Sequence, residues 1–183
     1  MPRGRLDRAA VVAAGAALAD EVGFDHLAMG PLAERLGVRA PSLYKHVESL
    51  AGLKNAVSAL ARHEVGDVLR RAVTGRSGPD ALRALADALR HWARAHPGRY
   101  AATVRSAGVD DPALALFSRC LDGFPPPDPP VDAARAFRSA SHGFITLESA
   151  GGFGLPHDVD RSYRYLVDTL ITGLSAVPPG GNP

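Results

Sequence analysis

The chain has 183 residues, 46% of them hydrophobic and 22% charged, with a net charge of +2. That is apolar material enough for one compact domain or two small ones sharing a core, and it excludes a disordered polar chain. No apolar run is long enough to cross a bilayer, the single cysteine, Cys120, excludes an intrachain disulfide, and so small a net charge is weak support for nucleic-acid binding.

The opening stretch, MPRGRLDRAAVVAAGAALADEVG, places basic residues before an Ala-rich run, as a signal peptide would. Asp7, Arg8, Asp20 and Glu21 bracket that run, so it reads as an amphipathic helix over about 6–22, and a cytoplasmic location is expected. Val11, Gly15, Leu18 and Val22 fall on one face, and Gly23 stops the helix. A second helix is predicted over 29–36, stopped by Gly37, and a third over 40–46. Ser49 is placed to cap a long fourth helix reaching about residue 73. TGRSGPD is a turn, with Pro79 near the start of a helix to residue 95. Shorter helices are predicted over 98–105 and 112–121. GFPPPDPPVD is a stiff loop, because consecutive prolines cannot continue a helix. Two long helices follow, over 131–150 and 159–177, joined by GGFGLPHD. Alternating strand patterns are nearly absent. The expected fold is all-α, with about nine helices. A DNA-binding head is predicted over 1–50, a ligand-sensing and dimerisation domain over 51–177 and a frayed tail over 178–183.

The stretch from Leu32 to Leu53, LAERLGVRAPSLYKHVESLAGL, carries the most information. Gly37 allows a sharp turn at low steric cost. Val38 is an apolar plug between two short helices. Pro41 sits in a first turn, where its missing N–H removes no helical bond. Leu43 and Val47 return to the core at a spacing of four. Arg39, Ala40, Ser42, Lys45 and His46 are left outward, on a helix short enough for a major groove. Charge alone would not suggest this: Arg3, Arg5, Arg8, Arg35, Arg39 and Lys45 are matched by Asp7, Asp20, Glu21, Asp25, Glu34 and Glu48.

Residues 5–55 closely resemble the DNA-binding domain of the TetR (tetracycline-repressor-like) family of transcriptional regulators. The matching residues are Leu32-Ala33, Leu36-Gly37-Val38, Pro41-Ser42, Leu43-Tyr44 and His46-Val47, with the first helix and Gly23-Phe24. The resemblance implies double-stranded operator DNA, roughly palindromic, as partner. It implies contacts from Arg39, Ala40, Pro41, Ser42, Tyr44, Lys45 and His46. The chain makes three departures from the family pattern. Ala28 stands where Ser or Thr usually caps the second helix. Met29, Gly30 and Pro31 replace polar or basic residues. Leu50 replaces a Lys that meets a phosphate. An N-terminal arm with Arg3, Arg5 and Arg8 is expected to compensate. From about residue 135, RAFRSASHGFITLESAGGFGLP resembles the C-terminal domain of a TetR subgroup named for a Trp-His-Gly motif. His142-Gly143, Leu147-Glu148 and Gly151-Gly152-Phe153 match, and the Trp is absent. Such domains sense small molecules and form homodimers, so a ligand-released repressor is expected.

Other readings compete at each site. Tyr44 is a phosphate contact or a wedge between helices, and Lys45 and His46 contact DNA or are ordinary solvated residues. Trp92, Tyr100, Phe117, Cys120, Phe137, His142 and Phe144 line a pocket for a small apolar or aromatic ligand, or fill a plain core. Ala136, Ala140 and Gly143 are small enough for close helix approach. With the run Tyr163, Leu166, Val167, Leu170, Ile171, Leu174 they are expected to form a two-fold four-helix dimer interface. Asp160, Arg161, Arg164 and Asp168 keep another face of that helix polar. Of the seven histidines, His91 and His96 point about 140° apart on a helix, and no metal-ligand spacing occurs. No metal or cofactor is expected. A Cys120–His142 thiol–imidazole pair has no orienting residue, so catalysis is not expected. The rival readings are a constitutive DNA-binding protein without a ligand and, behind it, an enzyme using a helical-bundle pocket.

Overall fold

A computed structural model of the chain describes residues 6–104, 116–117, 119–121, 124 and 130–176. Among them all regular structure is helical, as predicted. The helices are α1 (Arg8–Val22), α2 (Met29–Leu36), α3 (Ala40–Leu43), α4 (Leu50–Val73), α5 (Gly78–Ala95), α6 (Pro97–Val104), α7 (Pro130–Ser149) and α8 (Val159–Ala176). The helix predicted over 112–121 lies mostly outside the described residues. Its described members Leu116, Phe117, Arg119 and Cys120 are helical. Most of the proline-rich loop and the tail over 178–183 also lie outside them. No helix among the described residues is long and apolar enough to cross a membrane.

The helices gather into two compact units, one of residues 1–64 and 95–109, the other of residues 65–94 and 110–183. This division differs from a boundary at residue 50. The first half of α4 and all of α6 group with the N-terminal helices.

In the first unit, Asp7 starts α1, its Oδ1 accepting the Ala10 N–H at 2.8 Å, which satisfies one orphan donor of the first turn. α1 buries Val11, Val12, Gly15, Ala16, Leu18 and Ala19. Val22, expected on that face, is 42% exposed, because the chain turns away directly after it at Gly23, where φ is 89°. Opposite, α4 buries Leu53, Val57 and Ala61 at a spacing of four. Gly15 lies against Leu53, where a Cβ would sit 3.2 Å from Cδ1. Each fully buried Leu or Val contributes roughly 1.5–3 kcal/mol.

α6 meets α1 even more closely. A Cβ built on Gly98 would stand 1.9 Å from the Ala19 carbonyl oxygen, so the two backbones touch there. Arg99, the next residue, fastens the contact. Its backbone N–H and Nε donate to Asp20 at 2.8 and 2.7 Å, and Nη1 donates to Glu64 of α4 at 2.7 Å.

In the second unit, α5 and α8 run antiparallel. Arg83 Nε donates to Asp168 at 2.8 Å, the Tyr163 hydroxyl to the Ala86 carbonyl at 3.0 Å, and Arg90 Nη2 to Asp160 at 2.7 Å. Asp160 and Asp168, read from the sequence as part of a separate polar face, are therefore ion-paired to α5. The apolar run of α8 also divides. Tyr163, Val167 and Ile171 are buried, while Leu166, Leu170 and Leu174 are half-buried.

Candidate functional site

The helix–turn–helix forms as the punctuation predicts. Gly37 takes the left-handed conformation, φ 66° and ψ 31°. Its N–H donates to the Glu34 carbonyl and that of Val38 to the Ala33 carbonyl, both at 3.0 Å. These two bonds close α2 in a Schellman arrangement, which satisfies carbonyls left over at the helix end. Ala28 supplies no side-chain cap to α2. Ser49 does cap α4, its Oγ accepting the Gly52 N–H at 3.0 Å.

The third helix is shorter than predicted. α3 ends at Leu43 and the chain continues through His46 as turns. The His46 N–H donates to the Leu43 carbonyl at 2.9 Å, a three-residue spacing that tightens the helix end. The inward anchors are as expected, Leu43 fully buried and Val47 4% exposed. Between them Tyr44 is 53% exposed, so it is not a buried wedge. Arg39, Pro41 and Lys45 are exposed, and Ala40, Ser42 and His46 are half-buried. Arg3 and Arg5 lie outside the described residues, while Arg8 opens α1 and is exposed.

Neighbouring cations are held by the fold. Arg35 donates to Glu21 at 2.7 Å, and this bond holds the Glu21 carboxyl below its ordinary range. Lys54 donates to the Asp25 carbonyl at 3.0 Å and lies 5.6 Å from the Phe24 ring centre.

The residues predicted to line a ligand pocket come from several helices. Tyr100 is on α6, in the first unit. Trp92, Phe117, Cys120 and Phe137 are each at most 5% exposed, and the Phe117 and Phe137 rings lie 4.9 Å apart. His142 is half-buried; burial first, then the Arg138 charge, pushes its imidazole pKa below the ordinary value. Phe144 packs instead against Phe153 and Tyr163, with ring centres 4.6 and 5.0 Å away.

That second cluster surrounds a residue the sequence reading missed. Arg90 is 8% exposed. Its Nε and Nη2 donate to the two Glu148 oxygens at 2.8 and 2.6 Å, and its guanidinium carbon is 4.9 Å from the Tyr163 ring centre. The pairing raises the Arg90 pKa and, chiefly through the same hydrogen bond, lowers that of Glu148. Burial pushes the Tyr163 phenol up to about 12. One signal was legible: Arg90 stands four residues after Ala86 and three before Ala93, both buried, and a charge on an apolar stripe needs a partner.

Along α7, Ala136 is exposed, Ala140 and Gly143 are half-buried, and Leu147 is 52% exposed. A Cβ on Gly143 would meet nothing within 4 Å. Among the described residues no group of His, Cys, Asp and Glu is arranged to hold a metal ion.

Known proteins share this arrangement. Residues 82–170 match the family model described as "Tetracyclin repressor-like, C-terminal domain". An uncharacterized HTH-type transcriptional regulator of Mycobacterium tuberculosis is 37% identical over 184 residues, 93% of this chain and 82% of the relative. The crystal structure of a TetR variant from Acinetobacter baumannii AYE in complex with minocycline is similar at a TM-score of 0.70 and 25% identity, covering 92% of this chain and 96% of that one. BioQ, crystallised with its double-stranded DNA operator, is similar at a TM-score of 0.66 and 25% identity, covering 94% and 100%.

Proposed function

The chain belongs to the tetracycline-repressor-like family of DNA-binding transcriptional regulators, and from that premise we propose that it is a homodimeric repressor released from a palindromic operator by a small molecule. The observation that carries the DNA reading is the presentation of Arg39, Pro41, Tyr44 and Lys45 to solvent between two buried anchors, Leu43 and Val47. A rigid turn with exposed polar tips suits a major groove. Ala40, Ser42 and His46 flank those tips, and the amides of the first turn of α4, apart from that of Gly52, which Ser49 caps, meet a phosphate in place of the missing Lys. Arg3 and Arg5 extend the contact as an arm. The operator-bound BioQ structure supports this reading.

Dimer formation rests on the uncovered stripes of the second unit. Ala136, Ala140 and Gly143 of α7 and Leu166, Leu170 and Leu174 of α8 are suited to pairing with their own copies around a two-fold axis. The minocycline complex supports a ligand-responsive second unit. The close packing of Phe117 on Phe137 favours a second reading, in which the interior is solid and the regulator constitutive.

The test is a mobility-shift titration on DNA flanking the protein's own gene, with Lys45→Ala and Leu170→Glu. Lys45→Ala should weaken binding by about 1–3 kcal/mol at its cognate site if it reads a base. If it meets only a phosphate, the loss should be similar across sequences, with a salt slope lower by about 1 per contact. Leu170→Glu should sediment as a monomer and lose operator binding. Unchanged affinity in a folded Lys45→Ala protein, or a wild-type monomer at micromolar concentration that binds one half-site as well as two, sinks the reading.

A further inference from the structure

The second unit carries a cleft of about 640 Å³, within the roughly 300–1,000 Å³ typical of small-molecule sites. None of the residues predicted to bind a ligand lines it. Its apolar wall is Val68 and Ala72 of α4 with Ala88 of α5, and its polar lining includes Arg94 of α5 and Arg164 of α8.

The hydrogen-bonding capacity of this lining is lopsided. Arg90 and Asp160 also line the cleft, but they are bonded to each other, and Arg90 to Glu148 as well. Arg94 and Arg164 are not saturated. Arg94 comes no nearer to a carboxylate than 3.6 Å, at Asp160, and Arg164 no nearer than 3.8 Å, at Asp158. Each guanidinium has five N–H donors and no acceptor, so about ten donors face few carboxylate oxygens: those of Asp87 in the lining, with Asp160 and Asp158 beyond hydrogen-bond distance at 3.6 and 3.8 Å. A ligand completing the site must be rich in acceptors. Planar guanidinium forks match a carboxylate in two parallel bonds. Asp87 opposes a second negative charge, which disfavours a phosphate monoester.

We infer that this cleft binds a monocarboxylate with a compact apolar body, its acid group on Arg94 and Arg164 and its body against Val68, Ala72 and Ala88. The inference rests on the reading of the chain as an effector-responsive regulator and gives that effector a chemical class and a place. It also supplies a route for the response. The wall of the cleft is the last part of α4, the helix that begins at Leu50, separated from α3 by residues 44–49. An acid bound there would favour the position of α4 that it contacts better, the condition for shifting a population.

The test is calorimetry of full-length protein with octanoate, benzoate and 1-naphthoate, their amides and phenyl phosphate. It is repeated on Arg94→Gln/Arg164→Gln, and operator binding is measured with and without each acid. Both arginines are more than half exposed, so the double variant should keep the wild-type melting temperature. At least one acid should bind, its amide and phenyl phosphate tenfold or more weakly, and the double variant should lose tenfold or more. That acid should lower operator affinity in the wild type alone. Binding by none of the acids, equal binding of acid and amide, or binding unchanged in the double variant overturns the inference. Operator binding by the ligand-free protein is read separately. If it persists while the acids fail, the cleft assignment falls and the DNA-binding reading stands. If it is absent while the acids bind, the reverse holds.

Discussion

Replacing Gly98 by Ala should destabilise the protein, although the same change in most helices stabilises it. Alanine is favoured over glycine in a helix interior by up to about 1 kcal/mol. At residue 98 the new methyl would lie 1.9 Å from the Ala19 oxygen and 2.2 Å from its carbon. Both are backbone atoms of α1, so no rotamer change relieves the overlap. The helices must separate by about 1 Å, an overpacking penalty of roughly 1–3 kcal/mol. Separation also lengthens the two bonds from Arg99 to Asp20, and charge-assisted bonds of this kind are worth about 1.5–3 kcal/mol. Against the helix-propensity gain, the net loss should be about 2–4 kcal/mol, or roughly 5–12 °C in melting temperature for a chain of this size. Urea unfolding of Gly98→Ala beside Gly30→Ala measures it. Gly30 stands in α2 with nothing within 4 Å of an added Cβ, so Gly30→Ala should be neutral or slightly stabilising. If Gly98→Ala is as stable as the wild type, the close approach of α6 to α1 is refuted.

Three further outcomes are expected. Arg90→Ala should lose about 3–5 kcal/mol, because it strands a carboxylate that is 17% exposed; adding Glu148→Gln should recover part of that loss in urea unfolding, and no recovery would deny that the stranded charge is the cause. Between pH 10 and 12 the unfolded Tyr163 phenol ionises while the folded one, at about 12, keeps its proton, so stability should fall by about 2–3 kcal/mol as pH rises. Tyr163→Phe should flatten that stretch of the pH–stability curve. Ser49→Ala should remove about 1 kcal/mol by uncapping α4, seen as a lower urea midpoint with unchanged slope.

The helix–turn–helix was legible because its determinants are local. Gly37, Pro41 and Ser49 act on bonds within five residues of themselves, so spacing alone located α2 and the start of α4. The length of α3 was less legible. Tyr44, Lys45 and His46 have no breaker among them, yet they continue as turns. Long-range features left little trace. Gly98 looks like any glycine until Ala19 arrives beside it from 79 positions earlier in the chain. Arg90 meets partners 58 and 70 residues away. In α8 the apolar run from Tyr163 to Leu174 spans a broad arc. Periodicity found the arc but could not say that Tyr163, Val167 and Ile171 turn inward while Leu166, Leu170 and Leu174 stay half-buried. The Asp160–Asp168 face misled for the same reason: a charged stripe reads as solvated unless the arginines opposite it are known.

Those arginines bear on how DNA recognition must be organised. Arg35, Arg83, Arg90 and Arg99 each donate to carboxylates at 2.6–2.8 Å, so these four add little to any positive surface. In the first unit Lys54 is also engaged. Among its described residues, Arg8, Arg39 and Lys45 are exposed cations with no ion pair. With the proposed arm residues Arg3 and Arg5 these make five cations for each head, so one head alone supplies only part of the salt-dependent, sequence-independent binding. Affinity for an operator comes also from base contacts at α3 and from joining two heads in one dimer. Neither head alone would hold DNA well. The uncovered stripes of α7 and α8 are therefore as necessary to the proposed function as Lys45 itself, although no residue of either stripe would touch DNA.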